Sequence, residues 1–400
     1  MYIQLTNAPR NYAWGSLEAI AEFRGTTPSG DPEAELWFGT HPGSPTQATA
    51  TVPPAQDAYE TLAEWIDSTP SLLGDALSAE RRDLPILLKV LAAASPLSLQ
   101  VHPTPEQAKA GFAREQEQGI ALSDPARNYK DPYPKPEIIV AVSERFDALC
   151  GFRPAAEVAQ IVDALSAANE PALAPLVDLL SDPTNIAVAL DWLLAGSTEV
   201  GACVAAVTQL ASAPTAADSP IADTFATARE ISTHYAGDPG IIVAMLMNRV
   251  CLKRGEGLYA PAGLLHAYLS GLGIELMTAS DNVVRGGLTP KHIDTAELRS
   301  LLSFEQAPAD LLVPVETGPM TLYSPPAPFS LALVSPSGTS TEVALEGPSI
   351  ILADSDEITV TDPSGSTATI SRGDAAFVSG DVDTVSITGP GRAWVAVAHE

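Results

Sequence analysis

The spacing of apolar residues changes twice along this chain, and these changes constrain the fold more than any other feature. Between residues 153 and 240, apolar residues recur at i, i+3 and i+4, with Pro, Gly, Ser and Asp between the segments. This spacing predicts a series of amphipathic helices. On both sides of the block the apolar runs are short and end at Gly or Pro, which is typical of strands in a sandwich or barrel. The sequence therefore predicts a mainly β protein with a helical insertion.

The same pattern divides the 400-residue chain into four segments. Residues 1–152 and 241–308 are predicted to be the two parts of one β domain, with residues 153–240 as a helical domain between them. In residues 309–400, short β runs recur about every 8–12 residues, so these residues predict a second β domain. No candidate site residue lies in the helical segment, where His234 is predicted to be a surface or capping residue.

The charge and the cysteines exclude several classes of partner. The chain carries 49 acidic and 21 basic residues, which gives a formal net charge of −28. Nucleic acids and anionic membranes are bound by basic faces, so we expect contact with neither. The three cysteines lie in apolar surroundings, as in reduced proteins, and the sequence has neither a signal-peptide pattern nor about 18 consecutive apolar residues. We therefore expect a cytoplasmic protein.

One apolar run carries polar side chains at every second position, namely Ser98, Gln100 and His102 in SPLSLQVHPT. Alternate side chains of a β-strand point to the same face, so these three are expected to face a cavity while the apolar residues between them face a core. For this run alone, the alternative is a hydrogen-bonded core histidine with a neighbouring glutamine.

Two other segments supply the remaining members of a metal-ligand set. Lys135 and Glu137 are two positions apart in YPKPE, so they share a strand face, where a surface salt bridge is the alternative. His266 follows a turn predicted at residues 261–263, which directs this histidine inward. Two histidines, one carboxylate and the amide oxygen of Gln100 form a mixed N/O set, which suits zinc or another first-row divalent ion with open positions left for water or substrate.

The segment GEGLYAPAGLLHAY has the spacing of the second metal motif of cupin-type jelly rolls. The match is incomplete, because that motif usually has Asn four residues after the histidine, where this chain has Ser270. A faint copy of the segment begins at Gly373, but Thr384 occupies the position of the histidine. The chain is therefore predicted to form two cupin-type jelly-roll barrels plus an α-helical domain, and the C-terminal barrel is predicted to be metal-free.

Together these segments resemble type I mannose-6-phosphate isomerase. The resemblance extends over essentially the whole chain and is most specific in four segments: QVHP, YPKPE, YAPAGLLHAYLSG and GIELMTASDNVVRGGLTPKHID. The helical insertion and the C-terminal barrel match only loosely. By position, the resemblance places the zinc ligands at the same four residues that the spacing indicates: Gln100, His102, Glu137 and His266.

The resemblance implies interconversion of mannose 6-phosphate and fructose 6-phosphate, in which a proton moves between C1 and C2 through a cis-enediol. It implies that zinc polarises the substrate oxygens and that Arg285 stabilises the developing enediolate. Around the substrate phosphate it places Lys89, Ser98 and Lys291, although Lys89 alone also fits a lysine at the edge of the core. The general base stays open among Lys135, Asp281, a metal-bound hydroxide and a ligand histidine. We expect a sugar phosphate as the partner and a monomeric enzyme.

Two other functions are compatible with a cupin-like chain. An iron dioxygenase usually draws three histidines and a glutamate from two closely spaced motifs, whereas here Glu137 is distant in sequence and Gln100 supplies an amide. A sugar sensor or storage protein without activity would be expected to lose ligands in both barrels, whereas the first barrel retains all four. Metal analysis and oxygen consumption separate the first of these functions from an isomerase.

Overall fold

The computed structural model of the chain describes residues 1–50, 59–213, 219, 221–336 and 340–399. Within these residues the protein is mainly β, with a helical block in its middle third, which confirms the coarse prediction of the fold class. The helices described are α1 (Ala19–Arg24), α2 (Leu62–Ser68), α3 (Asp75–Glu80), α4 (Pro105–Glu117), α5 (Ala155–Ala167), α6 (Ala174–Leu179), α7 (Ile186–Leu194), α8 (Thr198–Ser212), α9 (Ala222–Ser232), α10 (Gly240–Met245) and α11 (Thr295–Leu301), with short 3₁₀ turns at Pro70–Leu73 and Pro171–Leu173.

The strands of the described residues form three sheets, and every strand pair within them is antiparallel. In chain order they are β1 (Tyr2–Thr6), β2 (Glu35–Phe38), β3 (Gln47–Ala50), β4 (Ile86–Ala93), β5 (Leu99–Val101), β6 (Glu137–Ala141), β7 (Arg145–Phe152), β8 (Met247–Lys253), β9 (Gly257–Ala260), β10 (His266–Thr278), β11 (Val284–Gly287), β12 (Leu311–Leu312), β13 (Val315–Thr317), β14 (Met320–Tyr323), β15 (Phe329–Val334), β16 (Thr341–Ala344), β17 (Ser349–Ala353), β18 (Ile358–Thr361), β19 (Thr367–Ile370), β20 (Ala375–Val378), β21 (Thr384–Thr388) and β22 (Ala393–Ala398).

The long strand β10 is the centre of the largest sheet. This sheet has ten strands, with the order β11-β5-β10-β6-β9-β12, and β10 also joins β4 with β2 and β7 with β8. Because β10 pairs with β4, β5, β6 and β7, it brings together segments that are more than a hundred residues apart in the chain. Every predicted metal ligand lies on β5, β6 or β10 or next to β5.

The period of two residues decides which side chains of this sheet enter the site. In β4, Leu88 and Val90 pack into the core between the ten-stranded and eight-stranded sheets, so Lys89 between them points to the opposite face. In β10, Ile274 belongs to the same core, so Glu275 points away from it and lies directly opposite Lys89. Full burial of each such apolar side chain stabilises the fold by about 1.5–3 kcal/mol, which fixes the strand register and hence the charged face.

The second large sheet has eight strands, in the order β13-β14-β15-β22-β17-β20-β1-β3. Its outer face packs against a four-stranded sheet with the order β16-β21-β18-β19. The first strand of the chain pairs with β20, so Ile3 lies opposite Phe377. The predicted first catalytic segment, residues 1–152, therefore contributes strands to two sheets. The division of the chain into four domains stays a prediction.

The helical block packs directly behind the site. Helices α5–α10 share one hydrophobic core with residues of the ten-stranded sheet, including Leu99 and Val101 on either side of Gln100. Ser197 caps α8, because its side chain accepts a hydrogen bond from the Val200 amide. No single helix in the described residues is long and apolar enough to cross a membrane, and the one pair that passes that test together, α7 and α8, is bent by 108°.

Candidate metal centre and its cavity

His102, Glu137 and His266 converge inside the ten-stranded sheet. All three side chains are buried, and each offers a ligand atom within 4.8 Å of those of the other two. The Glu137 carboxylate joins the histidines, with Oε1 2.9 Å from Nε2 of His266 and Oε2 3.2 Å from Nε2 of His102. Two imidazoles and one carboxylate around a common point form a donor set typical of a catalytic zinc site.

Local sequence explains how each side chain reaches this point. Glu137 is the first residue of β6, and it alternates with Ile138, which packs into the core between the sheets. His266 begins β10 after a turn in which Gly263 has a φ of 82°, a left-handed conformation that favours glycine. The Gly263 amide donates to the carbonyl of His102 at 2.9 Å, so this turn ties the two histidine segments together.

Main-chain carbonyls set the orientation of both imidazoles. Nδ1 of His102 lies 2.8 Å from the carbonyl oxygen of Asn282, and Nδ1 of His266 lies 2.9 Å from that of Leu264. A carbonyl can only accept, so Nδ1 of each ring is the donor to it, and Nε2 is the ring atom on the side of Glu137. This tautomer is the one in which Nε2 binds a metal ion.

The protonation states also fit a divalent cation. Burial, reinforced by Lys135, lowers the pKa of His102 to about 4, so its imidazole is neutral at pH 7. Burial opposes ionisation of Glu137, but Lys135 and His102 outweigh it and hold the pKa of this carboxyl well below its usual value. The Lys135 ammonium lies 2.5 Å from Oε2 of Glu137 and 3.2 Å from Nε2 of His102. A cation thus already lies among the ligand atoms, so the donor set fits a bound metal ion.

Gln100, the predicted fourth ligand, lies next to this cluster. In the sheet it is opposite His266 on one side and Arg285 on the other. Its amide nitrogen lies 3.4 Å from the hydroxyl of Ser98, an orientation that leaves the amide oxygen available as a ligand. Ligation by Gln100 stays a prediction.

A cavity of about 360 Å³ lies beside the cluster. It brings together all the other predicted site residues, because it is lined by Lys89, Ser98, Gln100, Lys135, Asp281, Arg285 and Lys291. The walls are completed by aromatic side chains, including Tyr12, Trp14 and Trp37, of which Tyr12 and Trp14 stack with ring centres 5.7 Å apart. This volume suits a small ligand such as a monosaccharide derivative.

Lys89 reaches the cavity with its charge already balanced. Its ammonium lies 2.7 Å from Glu275 and 3.6 Å from Glu35, and 4.9 Å above the ring of Trp37. Burial opposes the charge, but the two carboxylates raise the pKa of Lys89 above its usual value, so this lysine is protonated. Its role in phosphate binding stays a prediction. Because two carboxylates already neutralise its ammonium group, Lys89 offers an anion less net positive charge than an unpaired lysine would.

Arg285 and Lys291 present uncompensated charge. Among the described residues, neither the guanidinium of Arg285 nor the ammonium of Lys291 has a hydrogen bond or ion pair. Burial lowers the pKa of both groups, and the charge of Arg285 lowers that of Lys291 further. Two neighbouring cations without a counter-charge, in a chain of net charge −28, indicate a site for an anion.

Asp281 is held by a residue that the sequence analysis did not select. Nε2 of His41 lies 3.0 Å from Oδ2 of Asp281, and Nδ1 of His41 accepts from the Gly43 amide. Burial raises the pKa of Asp281, but His41 and the nearby lysines outweigh it and lower this pKa overall. Asp281 is therefore ionised, while its side chain remains half-exposed at the cavity. Its role as a base stays a prediction.

Three more residues of the cavity region were not predicted. Glu275 is the only acidic residue of strand β10 and lies among apolar neighbours, as Lys89 does in β4, so alternation could have found it. Glu35 is likewise the only charged residue of the buried strand β2, although neither signal identifies Lys89 of β4 as the partner. Tyr235 lines the cavity from the helical block, with its hydroxyl on the carbonyl of Pro96 at 2.7 Å. The sequence analysis selected no site residue in the helical segment, yet the C-terminal end of that segment contributes Tyr235 to the cavity wall.

The comparisons with known proteins agree with this geometry. The family model "Phosphomannose isomerase type I, catalytic domain" matches residues 2–155. Mannose-6-phosphate isomerase of Escherichia coli (strain K12) is 36% identical over 362 residues, which cover 89% of this chain and 90% of the relative. The protein of the same name from Homo sapiens is 31% identical over 378 residues, which cover 87% and 86%.

Solved structures extend the similarity to the whole fold. A crystal structure of mannose 6-phosphate isomerase from Salmonella typhimurium, bound to substrate and a zinc atom, matches with a TM-score of 0.88 and 31% identity. The match covers 100% of both chains. A zinc-bound mannose 6-phosphate isomerase structure gives the same TM-score and identity.

The fold and site define a class of mainly β proteins. In this class, a buried His–Glu–His cluster that could hold a metal ion adjoins a cavity lined by uncompensated cations. The identity and coverage then narrow this class to one family. The chain belongs to the mannose-6-phosphate isomerase family, which confirms the resemblance seen in its sequence.

Proposed function

We propose that this chain is a zinc-dependent isomerase that interconverts D-mannose 6-phosphate and D-fructose 6-phosphate. The observation that carries the proposal is that the cavity lined by the uncompensated cations Arg285 and Lys291 lies beside the His102–Glu137–His266 cluster, with Lys135 reaching both. The His–Glu–His cluster suits the hydroxyl and carbonyl oxygens of a sugar, and the two cations suit its phosphate. The relatives named for this reaction support the same conclusion. We further propose that the two β regions are jelly-roll barrels and that the enzyme acts as a monomer.

His102, Glu137 and His266 would hold one zinc ion, with Gln100 as the fourth protein ligand. When bound, zinc supplies a Lewis acid that polarises oxygens on C1 and C2 of the open-chain sugar.

The proposed chemistry moves one proton from C2 to C1 by way of a cis-enediol. The base takes the C2 proton of the aldose as the carbonyl oxygen on C1 gains a proton, which forms the enediol; the C2 hydroxyl of the enediol then loses its proton as C1 receives one, which forms the ketose. Arg285 stabilises the negative charge that develops on the oxygens, because its guanidinium has no carboxylate partner among the residues that the structure describes. Lys135 and Asp281 are the side chains proposed for the acid–base work; both line the cavity.

Lys291 would bind the phosphate, with Lys89 and Ser98 contributing from the lining of the same cavity. Lys291→Ala is expected to raise KM roughly 10–100-fold with a smaller effect on kcat, because a charge-assisted contact of about 1.5–3 kcal/mol is lost in ground and transition states alike. The measurement is steady-state kinetics for mannose 6-phosphate. Lys109→Ala, at an exposed lysine of α4, is the control, and an unchanged KM in the Lys291 variant contradicts the assignment.

Chelation tests metal and reaction together. We expect purified protein to convert mannose 6-phosphate to fructose 6-phosphate, to lose this activity when the metal is chelated, and to regain it with Zn²⁺. The measurement is a coupled spectrophotometric assay beside elemental analysis of the metal. Full zinc occupancy without turnover would leave a metal-binding member of the fold with another substrate, whereas iron with oxygen consumption would indicate an oxygenase.

A further inference from the structure

Asn282 is fully buried beside the candidate metal centre, yet it lines neither the cavity nor the ligand cluster. It follows Asp281 in the loop between β10 and β11, and its main-chain and side-chain groups contact two different parts of the site. The main-chain carbonyl accepts from Nδ1 of His102 at 2.8 Å. The side chain contacts the loop of residues 130–133, which lies about 150 residues earlier in the chain.

Both the oxygen and the nitrogen of the Asn282 side-chain amide form hydrogen bonds. Its oxygen accepts from the Lys130 amide at 2.7 Å, and its nitrogen donates to the carbonyls of Asp131 and Tyr133, both at 2.8 Å. Ser280 reinforces the contact, because its hydroxyl lies 2.9 Å from Oδ1 of Asp131. The loop held in this way leads within four residues to Lys135 and Glu137.

We infer that Asn282 is a positioning residue that couples the two halves of the zinc site. One half is His102, whose ring orientation and tautomer are set by the Asn282 carbonyl. The other half is the Lys135–Glu137 strand end, whose approach is set by the loop that the Asn282 side chain holds. The inference rests on the proposed zinc function, and it assigns to a buried amide the task of keeping both ligands within bonding distance of one ion.

Residue chemistry explains why an asparagine is required here. The site presents one amide donor and two carbonyl acceptors to this side chain, so it needs one acceptor and two donors, which is the inventory of a carboxamide. An aspartate of the same shape turns the two donors into an oxygen facing two carbonyls and places a charge 3.3 Å from Asp131. An alanine leaves the main-chain groups of the loop buried without partners.

The test is zinc affinity, measured by competition with a chromophoric chelator. Asn282→Asp is expected to weaken zinc binding about 10–100-fold, as is usual when a residue behind a metal ligand is lost. Asn248→Asp is the matched control, because Asn248 is also buried and donates to three main-chain carbonyls, yet contacts none of the proposed ligands. It is expected to lower the thermal stability of the metal-free protein without changing zinc affinity.

Ser280→Ala is a milder variant of the same contact, for use where Asn282→Asp does not fold. It is expected to weaken zinc binding by a smaller factor in the same direction. Unchanged zinc affinity in the variants, or an equal loss in the Asn248 control, would overturn the inference. Wild-type zinc content and turnover separate the two proposals: if both are normal and only the variant result fails, the proposed function stands, whereas wild-type protein that binds no zinc overturns both.

Discussion

Replacing Glu137 with glutamine is expected to abolish stoichiometric zinc binding and to lower kcat/KM by about three orders of magnitude. Glutamine keeps the size of the side chain but removes the negative charge shared by Lys135 and both histidines. The activity follows because a Lewis acid at the reacting oxygens lowers the barrier by several kcal/mol, and about 1.4 kcal/mol corresponds to a tenfold change in rate. Elemental analysis and the coupled assay measure the two effects.

The same substitution also changes the stability of the metal-free protein. The Lys135 ammonium is left buried without a carboxylate, and breaking a buried pair in this way costs about 3–5 kcal/mol in the free energy of unfolding. Glu115→Gln is a matched control, because Glu115 is equally buried but accepts from main-chain amides of Asn128 and Tyr129, away from the cluster. A Glu137→Gln protein that still binds zinc stoichiometrically contradicts the assignment of this carboxylate as a ligand.

The parts of the site that the sequence predicted are those that depend on local periodicity. Gln100 and His102, or Lys135 and Glu137, are two positions apart, so a strand places each pair on one side wherever the strand goes. The turn before His266 depends equally on nearby residues, since Gly263 supplies the left-handed conformation. Such features are set by backbone geometry within about three residues, and they can be read before any long-range pairing is known.

The parts that the sequence missed depend on register between distant strands. Glu275 lies opposite Lys89 because β10 pairs with β4, and nothing near either residue specifies that pairing. The union of β1 with β20 at the far end of the chain is likewise a matter of tertiary packing. Tyr235 reaches the cavity only because the helical block shares a core with β5 and β10. Long-range packing of this kind leaves no periodic signal.

The charge distribution connects these observations to substrate choice. A chain of net charge −28 repels anions in general, so binding a phosphate ester requires local cations that its own carboxylates do not neutralise. Of the cavity cations, Lys89 is balanced by Glu275 and Glu35, and Lys135 by Glu137. That leaves Arg285 and Lys291 to attract the substrate, and it predicts that they contribute differently, one at the reacting oxygens and one at the phosphate.

Replacing Arg285 with alanine is therefore expected to lower kcat about 10²–10³-fold while zinc content stays at the wild-type level, because one preorganised charge at the developing enediolate is lost. The Arg285 side chain has no hydrogen bond or ion pair to a proposed ligand, so we expect the ligand cluster to stay intact. Arg285→Lys is expected to recover part of the rate, since it restores a charge without the planar fork of the guanidinium. The measurement is steady-state kinetics with zinc analysis on each variant.

The Lys291 and Arg285 variants are expected to change different kinetic constants. Lys291→Ala should act mainly on KM, and Arg285→Ala mainly on kcat, because only an interaction that strengthens in the transition state changes turnover. Arg254→Ala removes one positive charge at the surface, where Arg254 pairs with Glu144, and so controls for the change in net charge. If Arg285→Ala raised KM alone and left kcat unchanged, Arg285 would be a second phosphate-binding residue, and stabilisation of the enediolate would fall to Lys135 and the metal ion.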